Sequence, residues 1–136
     1  MLVELTLKML LPFLPNPKLV ILGILAAVIA PRIPKFIRKS REGKTKGNLA
    51  TLRSAVRIYY SDNDGNFPQN PLGTSLVPKY IKEVPGLDLR PLHSLSQVVG
   101  GTVVSDDGEW GYNNTYGLVL IDCWCTDTAG VIWSTY

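Results

Sequence analysis

Few side chains in this 136-residue sequence have the types and spacing that chemistry requires. The single histidine, His93, lies in a proline-rich segment and has no obvious serine or cysteine partner that it could activate as a general base. The glycines at 100 and 101 lack the spacing and the following helix that a phosphate-binding loop needs. We therefore predict a solvent-facing His93, no catalytic residue and no enzyme activity.

Cys123 and Cys125 are the two cysteines, and one residue separates them. Alternate residues of a strand point to the same face, but a disulfide across one residue is strained and closes almost no chain. A zinc ion would need two more thiolates or imidazoles, and the sequence has one histidine. We predict two buried thiols, with an intersubunit disulfide as the alternative.

Two groups of oxygen-bearing residues invite comparison with calcium sites. The cluster at residues 62–66 (DNDGN) does not keep the EF-hand register, so it is expected to end a helix instead. Asp106 and Asp107 could converge with Asp122 and Asp127 across a sheet, although acidic turns are common without metal. We predict no metal ligands and no cofactor, with calcium left as the open possibility.

The first thirty residues are nearly all apolar. The uninterrupted stretch at residues 19–30 would reach only about 18 Å as a helix, which is short of the roughly 20 residues that cross a bilayer. Adding residues 1–14 gives enough reach, but the prolines from Pro12 to Pro17 predict a break in the helix. A signal peptide is the alternative, although the chain begins with an acid at Glu4 and no cation.

Charge divides the chain into a basic and an acidic part. Residues 1–46 carry nine Lys and Arg against two Asp and Glu, and residues 47–136 carry five against nine, so that +7 and −4 make the net +3. The basic run at residues 32–46 is typical of contact with lipid headgroups or acidic neighbours, or of a solvated helix face. By the positive-inside rule alone, this run would be cytoplasmic.

A second helical segment follows from the spacing of its apolar residues. Leu49, Leu52, Val56 and Tyr59 recur every three or four positions, which predicts an amphipathic helix over residues 34–60 with these side chains in the core of a head.

A proline-rich loop and a sheet are expected to complete this head. The loop covers residues 61–95, with at most one short turn at residues 76–81. Strand signals at 96–104, 109–113, 116–125 and 131–136 predict an antiparallel meander because the connections are short. The expected organisation is an apolar stem over residues 1–33 and a head over residues 34–136, which together make an α+β fold.

At residues 23–32 the sequence GILAAVIAPR resembles the N-terminal helix of type IV pilins and type II secretion pseudopilins. Residues 42–49 (EGKTKGNL) and 52–68 are similar to the continuation of that helix in bacterial pilin-like proteins. Residues 106–114, followed by residues 123–136, are similar to the C-terminal part of one subgroup. The start departs from the family pattern, because Glu4 is the fourth residue rather than the fifth and nineteen positions separate it from Gly23.

The resemblance implies the type IV pilin fold, with a long N-terminal helix packed on a small sheet, and a structural role. Subunits of this family wait in the inner membrane, are processed by a prepilin peptidase and methylated, and are driven by an assembly ATPase into an extracellular helical homopolymer. This topology places the head outside, against the orientation that the positive-inside rule gives. No specific nucleic acid is expected as a partner.

The same resemblance implies which residues form the filament core, with Glu4 neutralising the terminal ammonium of a neighbouring subunit. The expected core residues are Glu4, Leu19, Ile21, Leu22, Gly23, Ile24, Leu25, Val28, Ile29 and Pro31. A major pilin is favoured because a DPWG-like stretch, typical of the pseudopilins, is missing from the sequence. The alternatives are the major pseudopilin and a monomeric, membrane-anchored binding domain.

Overall fold

The structure, a computed structural model, describes residues 1–10, 16–97, 99–101 and 104–136. Within these residues the chain forms two compact units, residues 1–36 and residues 37–136. The first unit holds the apolar stem and the second holds the head with its sheet. The fold is α+β and pilin-like in its element order, as the sequence predicts.

Helices α1 (Leu2–Leu10) and α2 (Pro17–Ile29) lie in the first unit. Asn16 precedes α2 with a non-helical ψ of 128°, and its side chain accepts a hydrogen bond of 3.2 Å from the backbone N–H of Lys18. Pro17 suits the first helical position because its missing N–H would have no partner there. The predicted break is therefore present at Asn16, while the rest of its range, residues 12–15, lies outside the described residues.

Helical residues continue without interruption from Pro17 to Asp62, a length of 46 residues. Between α2 and α3 (Ile33–Asp62) lies one 3₁₀ turn, Ala30–Arg32, which contains Pro31. The tighter turn is expected at a proline because its ring displaces the carbonyl one turn earlier. The helix predicted over residues 34–60 is thereby confirmed. The helical stretch from Pro17 to Asp62 contains an apolar part that is long enough, by length and composition, to cross a membrane.

Helix α3 ends at the polar cluster that follows it, as predicted. Asp64 and Gly65 have φ values of 52° and 80°, in the left-handed region. The N–H of Gly65 donates to the carbonyl of Tyr60 at 3.0 Å, which satisfies one of the free carbonyls at the helix end. A short helix α4 (Leu72–Leu76) then lies slightly earlier than the predicted turn.

The sheet is mixed rather than the antiparallel meander that the short connections predicted. Its order is β1 (Val99–Gly100), β2 (Trp110–Asn113) and β3 (Leu118–Ile121), with β1 parallel and β3 antiparallel to β2. Asp106 and Gly108, with φ values of 67° and 73°, make a turn before β2. We attribute the parallel pairing to this additional reversal of the chain.

In place of the last predicted strand, residues 131–136, the chain forms a 3₁₀ helix, Trp133–Thr135, preceded by one bridge between Ile132 and Thr126. Trp133 is 2% exposed, so the turn brings a large ring into the core. Burial of so large a side chain stabilises this conformation of the C-terminal segment.

The core lies in the second unit, between α3, α4 and the sheet. Two rings of β2, Trp110 and Tyr112, are fully buried, and each donates a hydrogen bond from its polar end, to the carbonyls of Pro85 and Pro68. Burial raises the pKa of Tyr112 to about 12. Among the residues that the structure describes, the same core cluster also contains Leu49, Leu52, Ala55, Val56, Leu72, Leu76, Leu87, Leu89, Val119, Ile121, Cys123 and Trp133.

Candidate functional site

The apolar surface of α2 is the candidate interaction surface of the first unit. None of the residues that the structure describes in this helix is buried. Leu19, Ile24 and Leu25 keep 63%, 61% and 53% of their surface exposed. In α2 and the turn that follows it, the structure leaves exposed the residues predicted to form the filament core: Leu19, Ile21, Leu22, Gly23, Ile24, Leu25, Val28, Ile29 and Pro31.

An apolar surface of this extent is unstable in water. Full burial of each large aliphatic side chain of α2 would contribute at most about 1.5–3 kcal/mol of stabilising free energy, since part of its surface is already covered. Residues 19–31 contain no charged side chain, so polar groups do not limit how deeply this segment can be buried. Gly23 has open space around the position of a Cβ atom, which allows another backbone to approach closely. The surface suits lipid or a second apolar helix.

Glu4 lies in the first turn of α1 and is exposed. An acid at this position is favourable because the helix dipole is positive at the N-terminus. The carboxylate is therefore available to a cation from outside the chain.

Three of the four residues predicted to form the head core, Leu49, Leu52 and Val56, are 4%, 0% and 1% exposed. Tyr59 is partly buried against this core, and its ring lies 5.2 Å from that of Tyr80. These side chains share one face of α3, which the heptad-like spacing predicts.

Polar contacts fasten α3 to the C-terminal segment. The ammonium of Lys46 donates to Asp127 Oδ2 at 2.7 Å and to the Tyr136 hydroxyl at 2.6 Å, and that hydroxyl donates to the same carboxylate. The hydrogen bonds from Lys46 and Tyr136 hold the pKa of Asp127 well below its usual range. The same bonds raise the pKa of Lys46. Sequence spacing gave no signal for this triad, because 81 residues separate Lys46 from Asp127.

Glu42, the one acid in the basic run, is buried at 8% exposure. Its carboxylate accepts hydrogen bonds from Arg38 at 3.2 Å and from the backbone N–H and hydroxyl of Thr128 at 3.0 and 2.6 Å. Arg41 pairs with Asp88 at 3.8 Å. Part of the basic run thus meets acidic neighbours within the head, one of the interpretations that the sequence left open.

The four acids considered for calcium do not meet at one point. Asp107 and Asp122 both accept from the Ser105 hydroxyl, at 2.5 and 2.8 Å. Asp122 also accepts from the backbone N–H of Asp106 at 2.7 Å. Burial raises the pKa of Asp122, but these hydrogen bonds outweigh it and the net pKa is lowered. Asp127 belongs to the triad with Lys46 instead.

A cluster that was not predicted from the sequence contains His93, Cys123 and Cys125. A ring nitrogen of His93 and the two sulfur atoms all lie within 4.8 Å of one another. The His93 side chain is 20% exposed, so it is less open to solvent than the sequence predicts. The cysteines are joined as a disulfide, which also corrects the prediction of two free thiols. A separation of thirty residues hid this arrangement.

An open cleft of about 750 Å³ lies elsewhere on the head. Arg53, Arg57, Tyr60, Phe67 and Tyr116 are among the residues that line it. The guanidinium of Arg53 is already engaged, because it donates to the carbonyl of Val119 and to a C-terminal oxygen.

The element order places a long apolar helix before a head with a small mixed sheet, which is consistent with a pilin-like fold. The resemblance on which the functional interpretation depends is therefore one of short motifs and of architecture. Comparison of the chain with models of protein families, with curated proteins and with solved structures gives no match.

Proposed function

We propose that this chain is the structural subunit, the major pilin, of an extracellular type IV pilus-like filament. The observation that carries the proposal is the apolar surface of α2, in which no described side chain is buried. This surface continues directly into α3, whose later turns belong to a head with its own core. A subunit with this division can exchange one apolar environment for another without unfolding its head.

The physical logic concerns what replaces lipid around the stem. Before assembly, the apolar helix would lie in the inner membrane, where its backbone groups are satisfied within the helix. On extraction it needs another dry environment, and copies of the same helix provide one. Gly23, Ala26 and Ala27 are small residues that allow helices to pack closely.

Glu4 would pair with the terminal ammonium of a neighbouring stem within the filament. A carboxylate and an amine that are buried together cost much less free energy than either group buried alone. In this proposal the subunit's N-terminus is processed by a prepilin peptidase and methylated, and an assembly ATPase drives extraction from the membrane.

Two other functions share the same anchored architecture. A major pseudopilin of type II secretion would form short filaments by the same helix packing. A monomeric, membrane-anchored binding domain would use the head alone, and the cleft beside Arg57 and Tyr116 favours it as the second candidate.

Electron microscopy of filaments sheared from producing cells, with mass spectrometry of their protein, tests the proposal. We expect long filaments a few nanometres wide that contain this chain. The variant Leu25→Lys should abolish them, because a cation would face the apolar packing. The matched control Tyr116→Lys places the same charge on the head, at a side chain 76% exposed, and should leave them intact.

A chain that is found in the membrane fraction while no filaments are sheared from the cells would contradict the pilus proposal. Filaments that form equally well from Leu25→Lys would contradict the role of the α2 surface. Short filaments seen only on overproduction would favour the pseudopilin.

A further inference from the structure

The cluster of His93, Cys123 and Cys125 lies in the head, outside the surface that the proposed function uses. Its three potential ligand atoms lie within 4.8 Å of one another, while the two sulfurs are held as a disulfide. We propose that reduction of this disulfide turns the cluster into a binding site for one Zn²⁺ ion, with two thiolates and one imidazole as ligands.

The donor set suits zinc. Zinc binds thiolate sulfur at about 2.3 Å and imidazole nitrogen at about 2.0–2.1 Å, so donors around one ion lie roughly 3.5–4 Å apart. In the oxidised chain a ring nitrogen of His93 already lies within 4.8 Å of both sulfurs. The Cα atoms of the two cysteines are 5.2 Å apart, so side-chain rotation alone can separate the sulfurs after reduction. Two thiolates would neutralise the charge of the ion.

The backbone around the cysteines is held independently of the disulfide. The carbonyl of Cys123 accepts from the N–H of Ser134 at 3.1 Å, and that of Cys125 accepts from Trp133 at 3.0 Å. Between them, the N–H of Trp124 donates to Asp106 Oδ1 at 2.9 Å. A bridge between residues two apart closes almost no chain, so it adds little to the stability of the fold. Reduction therefore leaves the backbone of both cysteines in place.

His93 is positioned by the turn before β2. Gly108 has a φ of 73°, and a Cβ atom there would overlap the His93 imidazole. The ring thus packs directly on the backbone of this turn. Its Nε2 lies 3.5 Å from Asp106 Oδ1, the atom that also accepts from Trp124. A carboxylate beside a ligating histidine orients the ring in metal sites, and Asp106 links the ring to the cysteine segment in this way.

The exposure of the three donor residues determines how a metal ion can reach the site. Cys123 is fully buried, whereas Cys125 and His93 are partly exposed. An ion can therefore reach the donors from the side of Cys125 and His93. Two thiolates and one imidazole leave a fourth position for water, as in open zinc sites.

The chemistry balances with a dithiol reductant. The reductant transfers two electrons and two protons to the protein, the bond between Cys123 and Cys125 breaks to give two thiols, and the reductant closes to its own cyclic disulfide. Zn²⁺ then displaces the two thiol protons to solvent and binds the resulting thiolates together with neutral His93. Metal binding is thereby confined to the reduced protein.

Calorimetric titration of the full, tag-free chain in detergent with Zn²⁺ alone tests the site. The chain is reduced with dithiothreitol, freed of reductant under argon and compared with the oxidised chain. We expect one equivalent to bind to the reduced chain and no binding at this site in the oxidised chain. With Co²⁺ as a second probe, only the reduced chain should show a thiolate-to-metal charge-transfer band. Equal binding by both forms would overturn the proposal, and this comparison needs no substitution.

Variants separate the ligands from adventitious binding. Cys125→Ser removes one of the two thiolates, so the Co²⁺ charge-transfer band should lose the intensity expected for two thiolate ligands. His93→Asn should weaken Zn²⁺ binding at least about tenfold. The matched control Glu83→Gln removes an exposed acid outside the cluster and should bind as the parent does. Near-ultraviolet circular dichroism checks that each variant is folded. Parent-like affinity in folded His93→Asn or Cys125→Ser would refute the assigned ligands.

Discussion

Helix α2 and the later turns of α3 belong to one helical stretch but are stabilised in different ways. None of the described side chains of α2 is buried by other residues of the chain. In α3, Glu42, Thr45, Leu49, Leu52, Ala55 and Val56 are buried. The head therefore carries its own source of stability, whereas the stem depends on what surrounds it. Substitutions in the two regions should separate assembly from folding.

The largest expected effect is a charge in the stem. Leu25→Lys should eliminate filaments while the unfolding free energy of the head stays within about 0.5 kcal/mol of the parent, because surface changes seldom cost more. A charge near the middle of an apolar helix costs about 2.5–3.5 kcal/mol on insertion into a membrane. Filament yield by microscopy and denaturant unfolding in detergent, followed by tryptophan fluorescence, measure the two effects. A head destabilised as strongly as assembly would show that the regions are not independent.

The next effect is a cavity in the head. Leu52→Ala removes a fully buried side chain and should lower the unfolding free energy by about 2–5 kcal/mol. Ile58→Ala, on the same helix at 53% exposure, is the matched control and should cost less than about 1 kcal/mol. Denaturant titration followed by tryptophan fluorescence distinguishes them. Similar losses in both variants would mean that the core does not lie on this face of α3.

A smaller effect is expected from the polar contacts between α3 and the C-terminal segment. Asp127→Asn removes the charge that accepts from Lys46 and Tyr136, and should cost about 2 kcal/mol because a hydrogen bond to a charged group contributes about 1.5–3 kcal/mol net. Lys46 is 37% exposed, which weakens its share. Asp62→Asn, in an exposed pair with Lys79, should be nearly neutral on thermal unfolding. Equal midpoints for the two variants would contradict the triad's role.

The smallest effect is the pH dependence of that triad. The pKa of Asp127 is lowered in the folded state, so its stabilisation is present above the unfolded value of about 3.9 and is lost as pH falls. Between pH 5 and pH 3 the parent should lose about 1 kcal/mol more unfolding free energy than Asp127→Asn. Urea titrations at both values measure the difference. Parallel losses in parent and variant would show that this carboxylate does not govern acid stability.

Much of the helical architecture could be predicted from local sequence. The three- and four-residue spacing from Leu49 to Tyr59 predicted α3, and the polar cluster after it predicted its end, because helix period and capping are properties of neighbouring residues. Pro17 and Asn16 likewise define the start of α2. The apolar stem and its basic flank were visible from composition alone.

Contacts between distant residues could not be predicted in this way. The sequence placed His93 in solvent and the cysteines as free thiols, and it treated Asp127 as a candidate calcium ligand. Each assignment was wrong or incomplete because its partner lies far along the chain. Strand β1 was expected to be antiparallel to its neighbour, and the turn containing Asp106 and Gly108 accounts for the difference.

The sequence by itself determined the division of this chain into an apolar helix and a helix with one apolar face, because hydrophobic period depends only on the order of residues. Tertiary structure alone decided which side chains of the head meet. It joined Lys46 to Asp127, buried Glu42 against Thr128 and brought His93 to Cys123 and Cys125. The reason is that such contacts are set by packing of the whole core, to which every element contributes.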